Sequence, residues 1–582
     1  MLKKILALPQ VAQTYLFQTG EPTMHATDLN NRTTTTLFIL TILFYVAYQL
    51  AMQPGWVLGG EMWAEMADNY FVNANAPSYF QKLFSTDAGY IPIPQRLIAM
   101  ASNLLNLPAS LTAYFYTWSA IILTGMMAGS FCLSPFRLLV RSDALRFFTA
   151  IAILMTADFE TRTFINFTYF AAFFIAIITA LALINNTEET PKWSWLIPVL
   201  VISKPAVLAA LPAMIITATV SKARFRWITI TAIILCVGQL IQIAASEKAG
   251  VMAQTNNITF LSKALASFGY FFGFLGGYIS GPHFHHLNKY FFILIGLSIL
   301  VVSGLIIFKK RSGANALILV GLSLLFFNMF LNAFALSDSW NTDMARIEGL
   351  PLYRHIIVGF FGCTLVIVGL CTNLASYSKL LGMRYAAPCI FLTWFAISGW
   401  FTRSLEISRE PLSPITKNSQ WQKMAAAIDS GISPLCVPVD PLSWMYSRNC
   451  AFLSLKKDWR AGGYNFKNIQ IENSSNSFFE ITPPISLSEK TLVSLAILLK
   501  PLTPQTNAID ASAIITLKNG NKKHYAGKQK ILISEGLVLL TGKDLVPIKN
   551  IATIKFIFSS PVEIAIFGNQ QNEVSSVLWM GF

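Results

Sequence analysis

The feature that most constrains this chain is a recurrence of apolar runs about as long as a bilayer is thick, separated by short clusters of Lys and Arg. Surrounded by lipid, such a run satisfies its backbone only as a helix, and about 20 residues suffice to cross. Eleven candidates can be read: 36–52, 111–133, 145–157, 164–184, two short runs flanking Lys204 and Pro205 within 193–220, 227–244, 290–308, 314–336, 355–374 and 385–401. Arg137, Arg141 and Arg146, then Lys222, Arg224 and Arg226, then Lys309 to Arg311, then Lys379 and Arg384 fall on one side of this zigzag. By the positive-inside rule that side is cytoplasmic, which puts the N-terminus inside and everything after residue 402 outside. A Gly-rich patch at 264–281 would upset this parity by crossing, so it is expected as an outer-face or re-entrant segment.

Composition agrees: 54% of residues are hydrophobic and 12% charged, against about 25% charged in soluble domains. The net charge of +15 sits mainly beside the apolar runs, as orientation signals do, which argues against nucleic acid as a partner. The opening MLKKILALPQVAQTYLF is too short to span and is expected on the inner surface, with Lys3 and Lys4 toward head groups. The expected plan is a cytoplasmic segment 1–35, a membrane domain 36–402 with a first outer loop 54–110, a connecting region 403–467 and a β-rich domain 468–582. In that last part short Ile-, Val- and Phe-rich runs alternate with turn signals such as Asn519-Gly520, the pattern of a β-sandwich. Fold class is therefore a polytopic α-helical membrane protein with a C-terminal extracytoplasmic β-sandwich-like domain.

The acids of the first outer loop lie in GEMWAEMAD. Glu61, Glu65 and Asp68 stand four and three residues apart, which on a helix would place them on one side among Met62, Trp63, Met66 and Tyr70. A carboxylate held against apolar surface gains proton affinity and suits general-base work; a solvated interfacial stripe is the plainer alternative. Asp87 and Arg96 close the loop. Four cations, Arg96, Arg162, Lys204 and Arg354, are assigned to outward helix ends, where a shared anion such as a lipid-linked phosphate would explain them together; snorkelling would explain any one alone. Lys204-Pro205 also exposes backbone donors at a helix start. Cys436 and Cys450 bracket VPVDPLSWMYSRN, and a disulfide between them is open if this part faces an oxidising compartment, two unpaired thiols being the alternative. His283, His285 and His286 lack nearby Cys or carboxylate ligands, so no metal is expected. No phosphate-binding glycine loop or cytosolic nucleotide domain is evident, and no cofactor is expected.

With GEMWAE, GYIPIPQRL, the short runs around SKP, LYRH before a late helix, and the β-rich tail, the chain resembles the GT-C class of polyprenyl-phosphate-sugar-dependent glycosyltransferases. Within it, the chain is most similar to bacterial enzymes that modify O-antigen and other surface polysaccharides. The resemblance implies an inverting transfer of a sugar, a hexose such as glucose, from an undecaprenyl-type phosphate carrier to lipopolysaccharide or a related acceptor at the outer face of the bacterial inner membrane. It implies Glu65 or Glu61 as base and Arg96, Lys204, Arg354 and Arg162 as partners of the donor phosphate, with Asp68 and Asp87 in support. Many members carry Asp where this chain has Glu. A polysaccharide polymerase, a glycan flippase or transporter, and a non-enzymatic anchor for the tail are the rival readings.

Overall fold

The computed structural model describes residues 27–184, 189–245, 260–281, 288–309, 312–335, 340–375 without 341, 349 and 351, and 386–399. In the C-terminal part it describes 419, 421–431, 435–441, 444–448, 464–465, 470–471, 479–483, 488–489, 491–502, 509–529, 536–564, 566–567 and 577–581. The N-terminal surface segment, His283, His285, His286 and Cys450 lie outside the described residues, as does most of the connecting region. The chain divides into two compact units, one of residues 1–54, 76–101 and 116–413, the other of 55–75, 102–115 and 414–582.

The first unit is helical. Its principal helices are α1 (Thr27–Met52), α2 (Ile93–Leu104), α3 (Ala109–Gly129), α4 (Asp143–Thr156), α5 (Ala171–Ile184), α6 (Ala223–Ala245), α7 (Phe260–Ser280), α8 (Lys289–Lys309), α9 (Ala314–Ala335), α10 (Ile357–Ala375) and α11 (Ala386–Trp394), α2 and α3 extending beyond this unit's residue ranges. Seven helical stretches among the described residues are long and apolar enough to cross a bilayer, and they mark the chain as membrane-embedded: 32–52, 109–132, 167–184, 223–245, 289–309, 314–334 and 357–375. The other four expected crossings are helical but short. At about 1.5 Å per residue, the 14 residues of α4 reach about 21 Å, less than the roughly 30 Å of hydrocarbon. The two runs flanking Lys204 are 192–201 and 205–220, each opening with a 3₁₀ turn, and the last covers 386–398.

The Gly-rich patch, expected as an outer-face or re-entrant segment, forms α7, one uninterrupted helix of 21 residues that is not among the stretches long and apolar enough to cross. The glycines serve packing. A Cβ at Gly276 would collide with the Phe292 carbonyl, and one at Gly296 with the Phe272 carbonyl, so α7 and α8 touch backbone to backbone. Gly321 of α9 and Gly362 of α10 approach each other's carbonyls in the same way. Arg146, read from sequence as a loop charge, is instead wholly buried in the first turn of α4. Its guanidinium donates to the carbonyls of Phe131 (3.1 Å), Cys132 (2.6 Å) and Leu133 (2.8 Å), closing the end of the preceding helix, and pairs with Asp143. Arg137 also reaches Asp143, its Nε donating at 2.9 Å, while Ser142 caps α4 by accepting from Leu145 N–H.

The second unit ends in the β-rich region. Its strands are β1 (Leu435–Val439), β2 (Trp444–Arg448), β3 (Tyr464–Asn465), β4 (Gln470–Ile471), β5 (Phe479–Ile481), β6 (Thr491–Pro501), β7 (Ile509–Leu517), β8 (Lys522–Gln529), β9 (Gly536–Pro547), β10 (Ile551–Phe558), β11 (Val562–Ile564), β12 (Ile566–Phe567) and β13 (Leu578–Gly581). Nine form one antiparallel sheet in the order β4-β11-β6-β9-β8-β7-β10-β5, with β13 also on β6. The β8–β9 join is a single pair, Ala526 with Thr541. One apolar core draws on strands from both sides of that join, including Leu495, Leu540, Ile515 and Phe556. Along β10, Ile554 and Phe556 are fully buried and Lys555 between them is not. The Asn519-Gly520 turn joins β7 to β8, with Gly520 at φ +82° and Asn521 N–H donating to Asn519 Oδ1 at 3.1 Å. Cys436 lies in β1, and the disulfide expected for it falls outside the described residues through Cys450.

Candidate functional site

The anticipated cations Arg96, Arg162, Lys204 and Arg354 all belong to the first unit. The segment DAGY forms a tight turn in which Asp87 and Tyr90 exchange backbone hydrogen bonds of 2.7 and 3.1 Å, with Ala88 at φ 48° and Gly89 at φ 91° at the corner. Positive φ at both central positions is the type I′ pattern, which glycine adopts easily and alanine does not. The chain beyond is clamped: Ile91 N–H donates to Gln239 of α6 at 3.0 Å and Ile93 N–H to the Ile202 carbonyl at 3.1 Å. Gln95 reaches Ile165 O (2.8 Å) and Thr168 Oγ1 (3.1 Å).

This clamp aims the first cations. Lys204, in the break between the two short apolar runs, donates to the Tyr90 hydroxyl and lies 4.8 Å from that ring's centre. Tyr90 donates in turn to Asp87 Oδ2 at 3.2 Å, and all three side chains are buried. Arg96, in the first turn of α2, is buried and directs a guanidinium nitrogen toward the Thr86 carbonyl at 3.5 Å. Asp87 therefore supports Lys204 through a phenol.

Arg162 and Arg354 meet the short turn Phe159–Arg162 in different ways. Asp158 caps this turn by accepting from Thr161 N–H at 2.9 Å, and its carbonyl accepts from Arg162 Nε at 3.1 Å. Arg162 also lies over the Tyr48 ring, 5.9 Å from its centre. Arg354 pairs with Glu160 at 2.8 Å across side chains that are 42% and 49% exposed, a screened contact of small worth. Immediately after Arg354, His355 is fixed by its carbonyl, which accepts from Asn328 (3.2 Å) and Asn332 (2.8 Å) of α9. Its Nε2 accepts from Arg354 Nε at 3.4 Å. Burial, then the charges of Arg354, Lys204 and Arg346, push its pKa down to about 4. Arg346 donates to the Tyr353 hydroxyl at 2.6 Å and stacks over Trp340. Lys204 and Arg354, 150 residues apart in number, thus act on one imidazole.

The acids Glu61, Glu65 and Asp68 belong to the second unit, and they do not share a helical face. Gly60 at φ +63° and Ala64 at φ 45° break the chain before the π-helical turn Met66–Phe71 begins. Trp63 bridges to Asp440, whose carbonyl accepts from Ala64 N–H at 2.5 Å. Glu61 sits between these two kinks, so the spacing of four and three does not govern it. Its carboxylate accepts from Ser419 Oγ and from Trp421 N–H at 2.9 Å, capping the helix Trp421–Asp429 from outside. Burial is the largest influence on this carboxyl and raises its pKa, with the charge of Asp440 adding to the rise and the hydrogen bonds opposing it. The far end of the same helix is tied too, Asp429 accepting from Ala109 N–H at 2.9 Å. Trp421 is buried edge-on against Phe71 (5.0 Å) and Tyr446 (5.7 Å). Glu65 and Asp68 are half-buried, and Glu65 makes no side-chain cap to the turn it precedes.

Reasoning from sequence did not single out His355, Arg346, Tyr90, Asp158 or Glu160. His355 and Tyr90 stood inside LYRH and GYIPIPQRL, and Asp158 and Glu160 inside DFETR, so the signal available was adjacency to an anticipated cation. Among the described residues no group of three or more His, Cys, Asp or Glu is placed to hold a metal. No family model, no curated protein and no solved structure matches the chain.

Proposed function

We propose that this protein is a membrane glycosyltransferase that takes a sugar from a polyprenyl-phosphate carrier and transfers it to a surface-polysaccharide hydroxyl. The observation that carries the reading is the gathering of Lys204, Arg346 and Arg354 on His355, with Arg162 on the adjoining turn, at the ends of apolar helices. Of these cations Lys204 and Arg162 are buried; a buried cation is costly unless an anion or hydrogen bonds compensate it, and a phosphate at head-group depth is an anion that reaches such a place from within the membrane. In this reading the cations bind the phosphate and stabilise the charge it gains as the glycosidic bond breaks. A carboxylate takes the acceptor's proton. Glu61 is hydrogen-bonded to Ser419 and Trp421; the resemblance stated from sequence, and no geometry, makes Glu65 the base we propose.

The same reading takes all eleven anticipated apolar runs as crossings, with the N-terminus in the cytoplasm and the sheet as an extracytoplasmic sandwich. The test compares surface-glycan composition, and sugar release from a synthetic polyprenyl-phosphate donor in membranes, for wild type, Glu65→Gln and Arg354→Met at matched expression. Loss of transfer in both variants is expected. Unchanged transfer in both, or a glycan indifferent to removal of the protein, ends the reading.

A further inference from the structure

His355 occupies an unusual position for an imidazole. Its Nε2 accepts from Arg354 Nε, so that nitrogen carries a lone pair and the ring is neutral. The charges that bear on it are Arg354, hydrogen-bonded to it from its own segment, Lys204 from the break between the short apolar runs, and Arg346 from the turn Ala345–Ile347, which donates to the neighbouring Tyr353 hydroxyl. Glu160, from the turn Phe159–Arg162, is directed at Arg354. From α9 come two neutral amides, Asn328 and Asn332, which hold the backbone carbonyl, and the Tyr353 ring stands edge-on with centres 5.6 Å apart. The ring therefore hangs from a fixed point with positive charge around it.

We propose that His355 is the proton-accepting member of this anion site. A phosphate monoester entering among Lys204, Arg346 and Arg354 draws the Arg354 guanidinium off Nε2, and His355 takes one proton from solvent and donates to the phosphate. No covalent bond between heavy atoms forms or breaks in this step, and the proton taken up is balanced by the negative charge the ligand brings. The proposal rests on the reading of the cations as a phosphate site and adds that binding there is proton-coupled. A carrier phosphodiester becomes a monoester when its sugar leaves, so a second negative charge develops as His355 gains affinity for a proton. The departing phosphate is thereby favoured over the bound donor.

The test uses the full chain in detergent micelles, with farnesyl phosphate, inorganic phosphate and, as an uncharged control, farnesol. Calorimetric titrations in two buffers of different ionisation enthalpy give the protons taken up, and comparison of wild type with His355→Asn cancels the probe's own titration. Between pH 5.5 and pH 7.5 the wild type is expected to lose about tenfold more affinity for the phosphate than the variant, and to take up more protons on binding. Preference for farnesyl phosphate over inorganic phosphate marks a lipid head group as the source, and equal affinity marks free phosphate; the coupling is expected with whichever binds. Identical proton uptake and pH profiles in the two proteins overturn the inference and leave the phosphate site standing. Failure of both phosphates to bind overturns the phosphate site together with the inference. Should His355→Asn not fold, imidazole resonances of the wild type serve instead, the chain having only six His to resolve. One is expected to move toward the imidazolium position when farnesyl phosphate is added at pH 6, and a stationary set overturns the inference.

Discussion

Two groups of charges stand out in the sequence, acids spaced four and three apart in the first outer loop and cations at helix ends, and the structure uses them differently. In the second unit Glu61 is a fastening: its carboxylate accepts from Ser419 and from the backbone at the start of the helix Trp421–Asp429. In the first unit burial, seconded by the charges of Arg354, Lys204 and Arg346, keeps an imidazole neutral. A charge turned onto a backbone donor secures a fold, whereas like charges gathered on one weak base suit an incoming counter-charge. What separates the two is the partner, not the residue type or its depth.

The contrast can be broken most sharply through Glu65 and Glu61. Glu65→Gln is expected to lower transfer by about 10²- to 10⁴-fold, the usual worth of a general base, while Glu61→Gln retains most of it; a parallel transfer assay decides. Equal loss from both with unchanged folding would erase the distinction. Next, Lys204→Met and Arg354→Met should each weaken binding of a polyprenyl phosphate by roughly 10- to 100-fold, the scale of a charge-assisted contact. The same two substitutions should let the His355 pKa rise from about 4, which imidazole NMR follows. On the other side of the comparison, Glu61→Ala strips the cap from Trp421 N–H and should destabilise the second unit by about 1–3 kcal/mol, measured by denaturant or protease resistance.

The smallest effects are in pH dependence, and the two regions should differ in sign. Glu61 is raised, so the folded form holds its proton more tightly than the unfolded chain. The stability this confers is present at low pH and declines as the pH rises above the ordinary carboxylate value. Glu61→Gln should flatten that decline. His355 is lowered from 6.5 to about 4, so the unfolded chain binds the extra proton, and its contribution is lost as the pH falls through that interval. Unfolding curves at pH 4.5, 6 and 8 for each variant give both slopes.

Much of the first unit was legible because lipid leaves a helix few alternatives: among the described residues each anticipated run is mainly helical, and the break at Lys204-Pro205 stands where proline predicted it. Length was the weaker guide, since α4 and the runs beside Lys204 are too short by themselves to cross as straight helices. The strand β8, KKHYAGKQ, gave no apolar alternation: among its described side chains Tyr525 is the one buried. Helical spacing misled at Glu61 because Ala64 adopts a positive φ, which a sequence of ordinary helix formers does not announce. The cation cluster was legible as a set of helix ends, but its meeting point was not. His355 and Arg346 enter through a turn around Ala345–Ile347 that no periodicity marks.

The bare contact of α7 with α8 has a mechanical consequence. Where Phe272 and Phe292 carbonyls face glycines, no side chain stands between the two helices to change rotamer or absorb a shift. The pair is thus a rod of double width, stiff along its length, and a push on the residues at 281 or 288 moves both helices or neither.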